Sequence, residues 1–181
     1  MAGTARGRRL EVPRGRGVRP TSDRVRESVF NALGSLGVVE GAVVVDLFAG
    51  TGALGLEARS RGAASVHLVE RDRSALAALR RNVGSTGLTD GVHVVGDSVE
   101  GALRPGGPLE RLDATLVLAD PPYVFDDWAR LLDSVVARWP AALVVVESDR
   151  ELEAPGGPGS SPRRVVARRY GTTVVTFIHP G

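Results

Sequence analysis

The 181-residue chain contains no cysteine and no lysine. Without cysteine it forms no disulfide and no thiolate zinc site. It also lacks the thiolate nucleophile usually needed to alkylate carbon 5 of a pyrimidine. Without lysine it has neither a Walker lysine nor a Schiff-base lysine, and all 23 basic residues are arginine. No apolar run approaches the roughly 20 residues of a membrane helix. The Arg-rich start has no apolar stretch behind it, so it does not read as a signal peptide. The expectation is a soluble cytoplasmic protein, a single domain with a small appendage, long enough to bury roughly 70% of its unfolded surface.

A net charge of +2 conceals an asymmetry. Residues 1–26 hold eight arginines against Glu11 and Asp23, a balance of +6, and the remainder balances at −4. A basic segment of this kind fits a polyanionic partner such as a nucleic acid; the competing reading is a solvated tail. Residues 1–22 are therefore read as a basic arm and 23–181 as the domain. Arg8 to Val12 and a return strand from Val18 suggest a small hairpin. Arg6, Arg8, Arg9, Arg14, Arg16, Arg19 and Arg24 are candidates for phosphate contact.

The most informative stretch is Val43-Val44-Val45-Asp46-Leu47-Phe48-Ala49-Gly50-Thr51-Gly52-Ala53-Leu54-Gly55. β-Branched residues, a glycine-rich turn and a helical run open a βαβ unit. The helix would aim its free N–H groups and positive dipole end at a ligand. Gly50-x-Gly52-x-x-Gly55 matches the dinucleotide fingerprint, and Glu70 follows Gly50 by 20 residues, where a ribose-binding acid belongs. A nicotinamide cofactor stays open on that spacing. Asp46 tilts away from it, because a carboxylate beside the turn repels a pyrophosphate. It attracts a ligand carrying an ammonium and a sulfonium, such as S-adenosylmethionine.

A helix is predicted from Asp23 to Leu36, with Val25, Val29, Leu33 and Leu36 on one face. Strands are predicted at Val43 to Leu47, Ser65 to Val69, Val92 to Val95, Ala114 to Ala119 and Ala142 to Val146, then Val165 to Tyr170 and Thr172 to Ile178 around Gly171. Helices are expected between them, at Ser74 to Asn82, Ser98 to Leu103 and Asp126 to Trp139. The first four strands end at or next to an acid: Asp46, Glu70, Asp97 and Asp120. In an open parallel sheet the carboxyl ends of the strands form the ligand crevice, so these acids should converge.

After strand 4 comes Asp120-Pro121-Pro122-Tyr123. Two prolines fix φ and remove two donors. What remains is acceptors, the Asp120 carboxylate and the Pro121 carbonyl, beside the flat ring of Tyr123. That set suits a planar base with an exocyclic amine; the plain alternative is an ordinary turn. His67, His93 and His179 are scattered, so no metal site is expected. Trp128 and Trp139 read as core residues.

Asp46-Leu47-Phe48-Ala49-Gly50-Thr51-Gly52, Glu70, Asp97 and Asp120-Pro121-Pro122-Tyr123 resemble the motifs of class I S-adenosylmethionine-dependent methyltransferases, in the amino-methylating branch. Arg19-Pro20-Thr21-Ser22-Asp23-Arg24-Val25-Arg26-Glu27-Ser28-Val29-Phe30-Asn31 resembles the N-terminal signature of the RsmD family, guanine-N2 methyltransferases of bacterial 16S ribosomal RNA. The resemblance implies a Rossmann-like α/β fold: a seven-stranded, mostly parallel sheet in order 3-2-1-4-5-7-6, strand 7 antiparallel, with helices on both faces. It implies that Asp46, Phe48, Gly50, Gly52, Glu70, Arg71, Asp97, Ser98 and Asp120 hold S-adenosylmethionine. Asp120, Pro121, Pro122 and Tyr123 would then carry the catalytic step. It further implies 16S rRNA or the small ribosomal subunit as partner, no membrane, no metal and a monomer. DNA adenine and protein glutamine are alternative targets, because Asp-Pro-Pro-Tyr is shared by enzymes acting on them. An oxidoreductase or a noncatalytic RNA-binding module is more remote.

Overall fold

The computed structural model describes residues 1–11, 20–156 and 162–181. Its strands are β1 (Val43–Leu47), β2 (Ser65–Val69), β3 (Val92–Val95), β4 (Leu116–Ala119), β5 (Leu143–Ser148), β6 (Val165–Tyr170) and β7 (Thr173–Ile178). Its helices are α1 (Pro20–Ser35), α2 (Ala53–Ser60), α3 (Arg73–Thr86), α4 (Val99–Leu103) and α5 (Trp128–Arg138). The strands form one sheet in the order β3-β2-β1-β4-β5-β7-β6. β1 to β5 pair in parallel, and β7 runs antiparallel to both β5 and β6. The expected order and direction are both found.

Alternation along each strand sends side chains to two separate cores. Val44, Val66, Leu68, Leu116, Leu118 and Val145 face α1, α2 and α3, packing against Val29, Phe30, Leu33, Leu56 and Leu79. Val45, Leu47, Val117, Val144 and Val146 face α4 and α5, packing against Ala102, Leu132, Val135 and Trp139. Central strands buried on both faces explain their unbroken apolar runs.

Several boundaries differ from expectation for identifiable reasons. α1 begins at Pro20 rather than Asp23, since a proline at the first helical turn loses no needed hydrogen bond. α3 begins at Arg73 because the Asp72 carboxylate caps it, accepting from Ala75 N–H at 2.8 Å. β4 starts at Leu116 and α5 at Trp128, each two residues later than expected, and β5 extends to Ser148. The expected hairpin falls mostly on residues 12–19, outside the described part. Arg8 to Glu11 themselves carry no strand. The described N-terminal segment instead docks on the body. Ala5 is buried, its N–H donates to Ser60 Oγ at 2.8 Å, and Ala2 N–H donates to the buried Glu57 carboxylate.

Candidate functional site

Register decides whether the strand-end acids meet. Leu47 pairs with Val69 on one side and with Ala119 on the other, and Ala119 pairs with Val146. The next residues, Glu70, Phe48, Asp120 and Glu147, therefore stand in one row across β2, β1, β4 and β5. Neighbouring members are separated by about one strand spacing, roughly 4.8 Å. Val95 pairs with Val69, so Asp97 follows one residue beyond that row. The acids share one rim, as the sequence predicted.

Asp46, one residue inside the rim, is 1% exposed. Its Oδ2 accepts the Gly55 N–H at 2.8 Å, so the strand caps the first turn of α2, which has no side-chain cap of its own. Burial pushes this carboxyl up to about 8; the Gly55 bond pulls it down, and the nearby Asp120 and Glu70 charges push it further up. Asp46 thus lies close enough to Asp120 and Glu70 to feel the charge of both.

The glycines allow this approach. A Cβ on Gly55 would stand 2.2 Å from Leu68 Cδ2 and 3.1 Å from Asp46 Oδ2, so any side chain would push α2 off the sheet. Gly52, at φ +87°, would collide with Leu79 Cδ1 at 2.5 Å. Gly50 also has positive φ, but its missing side chain would enter open space, with only Phe48 O nearby at 3.9 Å. Gly50 thus leaves bare backbone facing the crevice. The acids Asp46 and Glu70 flank this cradle of bare backbone.

The remaining predicted cofactor residues surround that cradle. Glu70 Oε2 accepts Gly50 N–H at 2.8 Å, and Oε1 accepts from Arg71 and Asp72 at 2.8 and 2.7 Å. A carboxylate has about four acceptor positions, so Glu70 keeps one for a ligand hydroxyl. Arg71 contributes its N–H to Glu70, while its side chain is exposed. Asp97 Oδ1 accepts Ser98 N–H at 2.7 Å and lies against Gly101, and the Ser98 hydroxyl caps α4 through Gly101 N–H at 3.0 Å. The Ser98 oxygen thus caps α4, and its O–H can still donate.

Phe48 holds φ +63°, the left-handed region, the sole non-glycine to do so among the described residues. Such a conformation costs about 1–3 kcal/mol and persists where surroundings enforce it. Its ring meets Phe125 edge-on at 5.3 Å, and Phe125 meets Trp128 at 5.0 Å. An aromatic chain thus joins the glycine turn to the segment after Asp120-Pro121-Pro122-Tyr123. Pro122 O accepts Phe125 N–H at 2.8 Å and closes that turn, leaving Tyr123 64% exposed. Between the ends of β4 and β5 is a shallow cleft lined by Asp120, Pro121, Pro122 and Tyr123.

Glu147, Asp149 and Thr173 also line this cleft and were not assigned to a site, and Trp128, expected in the core, is partly buried and lines it too. The strand 5 acid Glu147 carried the same signal as the other four acids. Trp128 gave none, since helical spacing does not say which neighbour a ring meets. Trp139 is core as expected, 1% exposed, its Nε1–H donating to Leu112 O at 2.8 Å. Asn82 was also missed. Its side chain accepts from Glu11 N–H at 2.7 Å and donates to Glu11 O at 3.0 Å and Thr51 O at 2.9 Å, tying the N-terminal segment to the glycine turn.

Of the arginines assigned to phosphate, Arg6, Arg9 and Arg24 are exposed, whereas Arg8 donates to Ser85 O at the end of α3. Arg14, Arg16 and Arg19 lie outside the described residues. His67 and His93 pair across β2 and β3 with rings stacked at 4.5 Å. No helix among the described residues is long and apolar enough to cross a membrane.

Comparison with known proteins gives a consistent set of relatives. The family model described as "Conserved hypothetical protein 95" matches residues 1–179. YlbH of Bacillus subtilis is 35% identical over 182 residues, covering 98% of this chain and 96% of its own. The Escherichia coli protein named ribosomal RNA small subunit methyltransferase D is 36% identical over 163 residues, 88% of this chain and 79% of its own. The solved structure of yhhF from Escherichia coli superposes with a TM-score of 0.82 at 32% identity, covering 99% of this chain and 96% of that one.

Proposed function

The chain belongs to the RsmD family, and from that membership we propose that it methylates the exocyclic N2 amine of a guanine in 16S ribosomal RNA, using S-adenosylmethionine. The relatives support the broader statement, methyl transfer to ribosomal RNA. Membership also removes the nicotinamide reading that the Gly50-x-Gly52-x-x-Gly55 spacing left open. The Asp120 turn supports an exocyclic amine as acceptor, and the choice of guanine N2 among such amines rests on the resemblance of Arg19 to Asn31 to the RsmD signature. The observation that carries the reading is the common row of Glu70, Phe48 and Asp120, with Asp46 close enough to feel the charge of its acids.

S-Adenosylmethionine supplies an already activated sulfonium methyl. The chain's own work is then alignment rather than strong acid–base catalysis. Asp46 and the bare backbone at Gly50 would receive the methionine end, with Gly52 packing the turn closely against Leu79. Glu70 offers its remaining acceptor position to the ribose, and Asp97 would accept the adenine amine. Asp120 and the Pro121 carbonyl would accept the hydrogens of the target amine. That shifts its lone pair out of conjugation and aims it along the row toward β1. Tyr123, exposed at the lip, offers a stacking face to a base that has left its helix. Phe48 and Phe125 fix the distance between the two halves.

The decisive measurement uses labelled S-adenosylmethionine with small subunits lacking the modification, followed by mapping of the labelled nucleotide. Asp120→Ala should lower transfer about 10²–10³-fold, the scale of losing a group engaged at the reacting atom. Its affinity for S-adenosylmethionine by calorimetry should fall far less than its turnover, because Asp46, Glu70 and Asp97 would still hold the cofactor. Normal turnover in this variant removes Asp120 from the chemistry.

A further inference from the structure

On the α1 side of the sheet, away from the rim, α1 and the β6–β7 edge enclose a groove of about 520 Å³. One wall is α1, presenting the neutral polar side chains of Ser28, Asn31 and Ser35. The other is the edge strand β6, whose alternation puts residues 164, 166, 168 and 170 on a single face. Arg164 and Arg168 stand on that face, with His179 beyond the end of β7. Val166 and Phe177 make an apolar floor. The Arg168 guanidinium lies 5.3 Å over the Phe177 ring. Its plane is thereby held while its N–H edge stays available to an acceptor.

No Asp or Glu lines the groove, and among the described residues no carboxylate pairs with Arg164 or Arg168. One turn before Ser28, the exposed Arg24 extends the same stripe of α1. The groove also leads to the reaction site. Tyr170 pairs with Thr173 across the last hairpin; Tyr170 lines the groove and Thr173 lines the cleft beside Asp120.

We propose that this groove holds the sugar–phosphate chain of the RNA flanking the target nucleotide. The inference rests on the reading that ribosomal RNA is the substrate. Arg164 and Arg168 are four residues apart on an extended strand, about 13 Å along the backbone, too far to share one phosphate but suited to a repeating polyanion. The hydroxyl and amide side chains opposite suit 2′-hydroxyls, and the apolar floor with Tyr170 suits unstacked bases.

The test compares wild type with the Arg164→Ala/Arg168→Ala double variant and with Arg164→Glu, a change at an exposed side chain outside the Phe177 stack. Binding of an unmodified 16S rRNA transcript is titrated over a range of KCl, alongside S-adenosylmethionine affinity and unfolding temperature. The double variant should bind at least tenfold more weakly. Its slope of log affinity against log salt should be shallower by about 0.7–0.9 for each phosphate that the missing guanidiniums no longer neutralise. KM for RNA should rise, with kcat, cofactor affinity and unfolding temperature near wild type, and Arg164→Glu should move affinity the same way. Unchanged affinity and slope, with wild-type turnover on the transcript intact, overturns the groove and leaves the RNA reading standing. Wild-type protein that neither binds nor methylates this RNA or small subunits lacking the modification overturns the reading and the groove with it. Weakened binding to assembled subunits alone, with naked transcript bound as before, also overturns it and assigns the groove to a ribosomal protein.

Discussion

Asp46 shows what burying one carboxyl costs before a cationic ligand arrives. It is buried under α2, accepts from Gly55 N–H, and is pushed up to about 8 from its ordinary 3.8. The folded chain therefore holds a proton there that the unfolded chain releases. Between about pH 4 and 8 this group lowers stability as pH rises, because the unfolded state binds fewer protons. His67 acts oppositely: burial and the neighbouring His93 lower it to about 4, so its contribution is lost as pH falls from about 6.5 toward 4. Above pH 6.5 only the Asp46 effect remains of these two. Asp46→Asn keeps an oxygen for Gly55 and removes the titration. The variant should lose the decline in unfolding temperature that wild type shows from pH 6.5 to 8.5, and should be the more stable protein at the upper end. Parallel profiles for the two proteins would show that Asp46 does not titrate in this range. The sequence marked Asp46 as a strand-end acid; its burial depends on how closely Gly55 approaches, which no local pattern encodes.

At the scale of elements, four strands are found with the boundaries their β-branched runs predicted: Val43–Leu47, Ser65–Val69, Val92–Val95 and Val165–Tyr170. Helix ends were less legible, because Pro20 and Asp72 act through backbone geometry and capping rather than periodicity. The glycine turn was read as a cradle, but what braces it was not. Asn82 lies on α3, 1% exposed, 31 residues from Thr51 and 71 from Glu11, and no motif links the three. Asn82→Ala would leave Thr51 O and both backbone groups of Glu11 without these bonds. Each buried group left unpaired costs about 1–3 kcal/mol, and the N-terminal segment can relax toward water to recover part of it. We expect a net loss of about 2–4 kcal/mol in urea unfolding. We also expect weaker S-adenosylmethionine binding by calorimetry, because Thr51 separates Gly50 from Gly52. Wild-type stability together with wild-type cofactor affinity would show that the turn holds itself.

Across the whole molecule, the charge imbalance suggested a basic arm attached to an acidic body, and the described part of that arm is built into the body. Ala5 is buried, Ala2 N–H reaches Glu57, and Ser60 Oγ accepts from Ala5 N–H. Glu57 is itself a buried acid held by Arg61 Nε at 2.8 Å, with Arg26 Nε at 3.7 Å. At the other end of the segment Glu11 is fixed by Asn82 and pairs with Arg81 at 2.8 Å. Composition could not reveal this, because the partners lie 55 to 71 residues away. The Arg81–Glu11 pair is about half exposed and adds little by itself. Segment and body should therefore unfold together, in one transition. Deleting residues 1–11 removes the burial of Ala5 and strips Asn82, Ser60 and Glu57 of partners, a loss of about 2–3 kcal/mol if water satisfies part of what is exposed. For a chain of this size each kcal/mol corresponds to about 2–4 °C, so the deletion should lower the unfolding temperature by about 4–12 °C. Calorimetry on both proteins checks the shift and the cooperativity together. An early separate transition in the full chain, or a deletion variant melting with wild type, would mean that the segment rests on the surface without sharing in the fold.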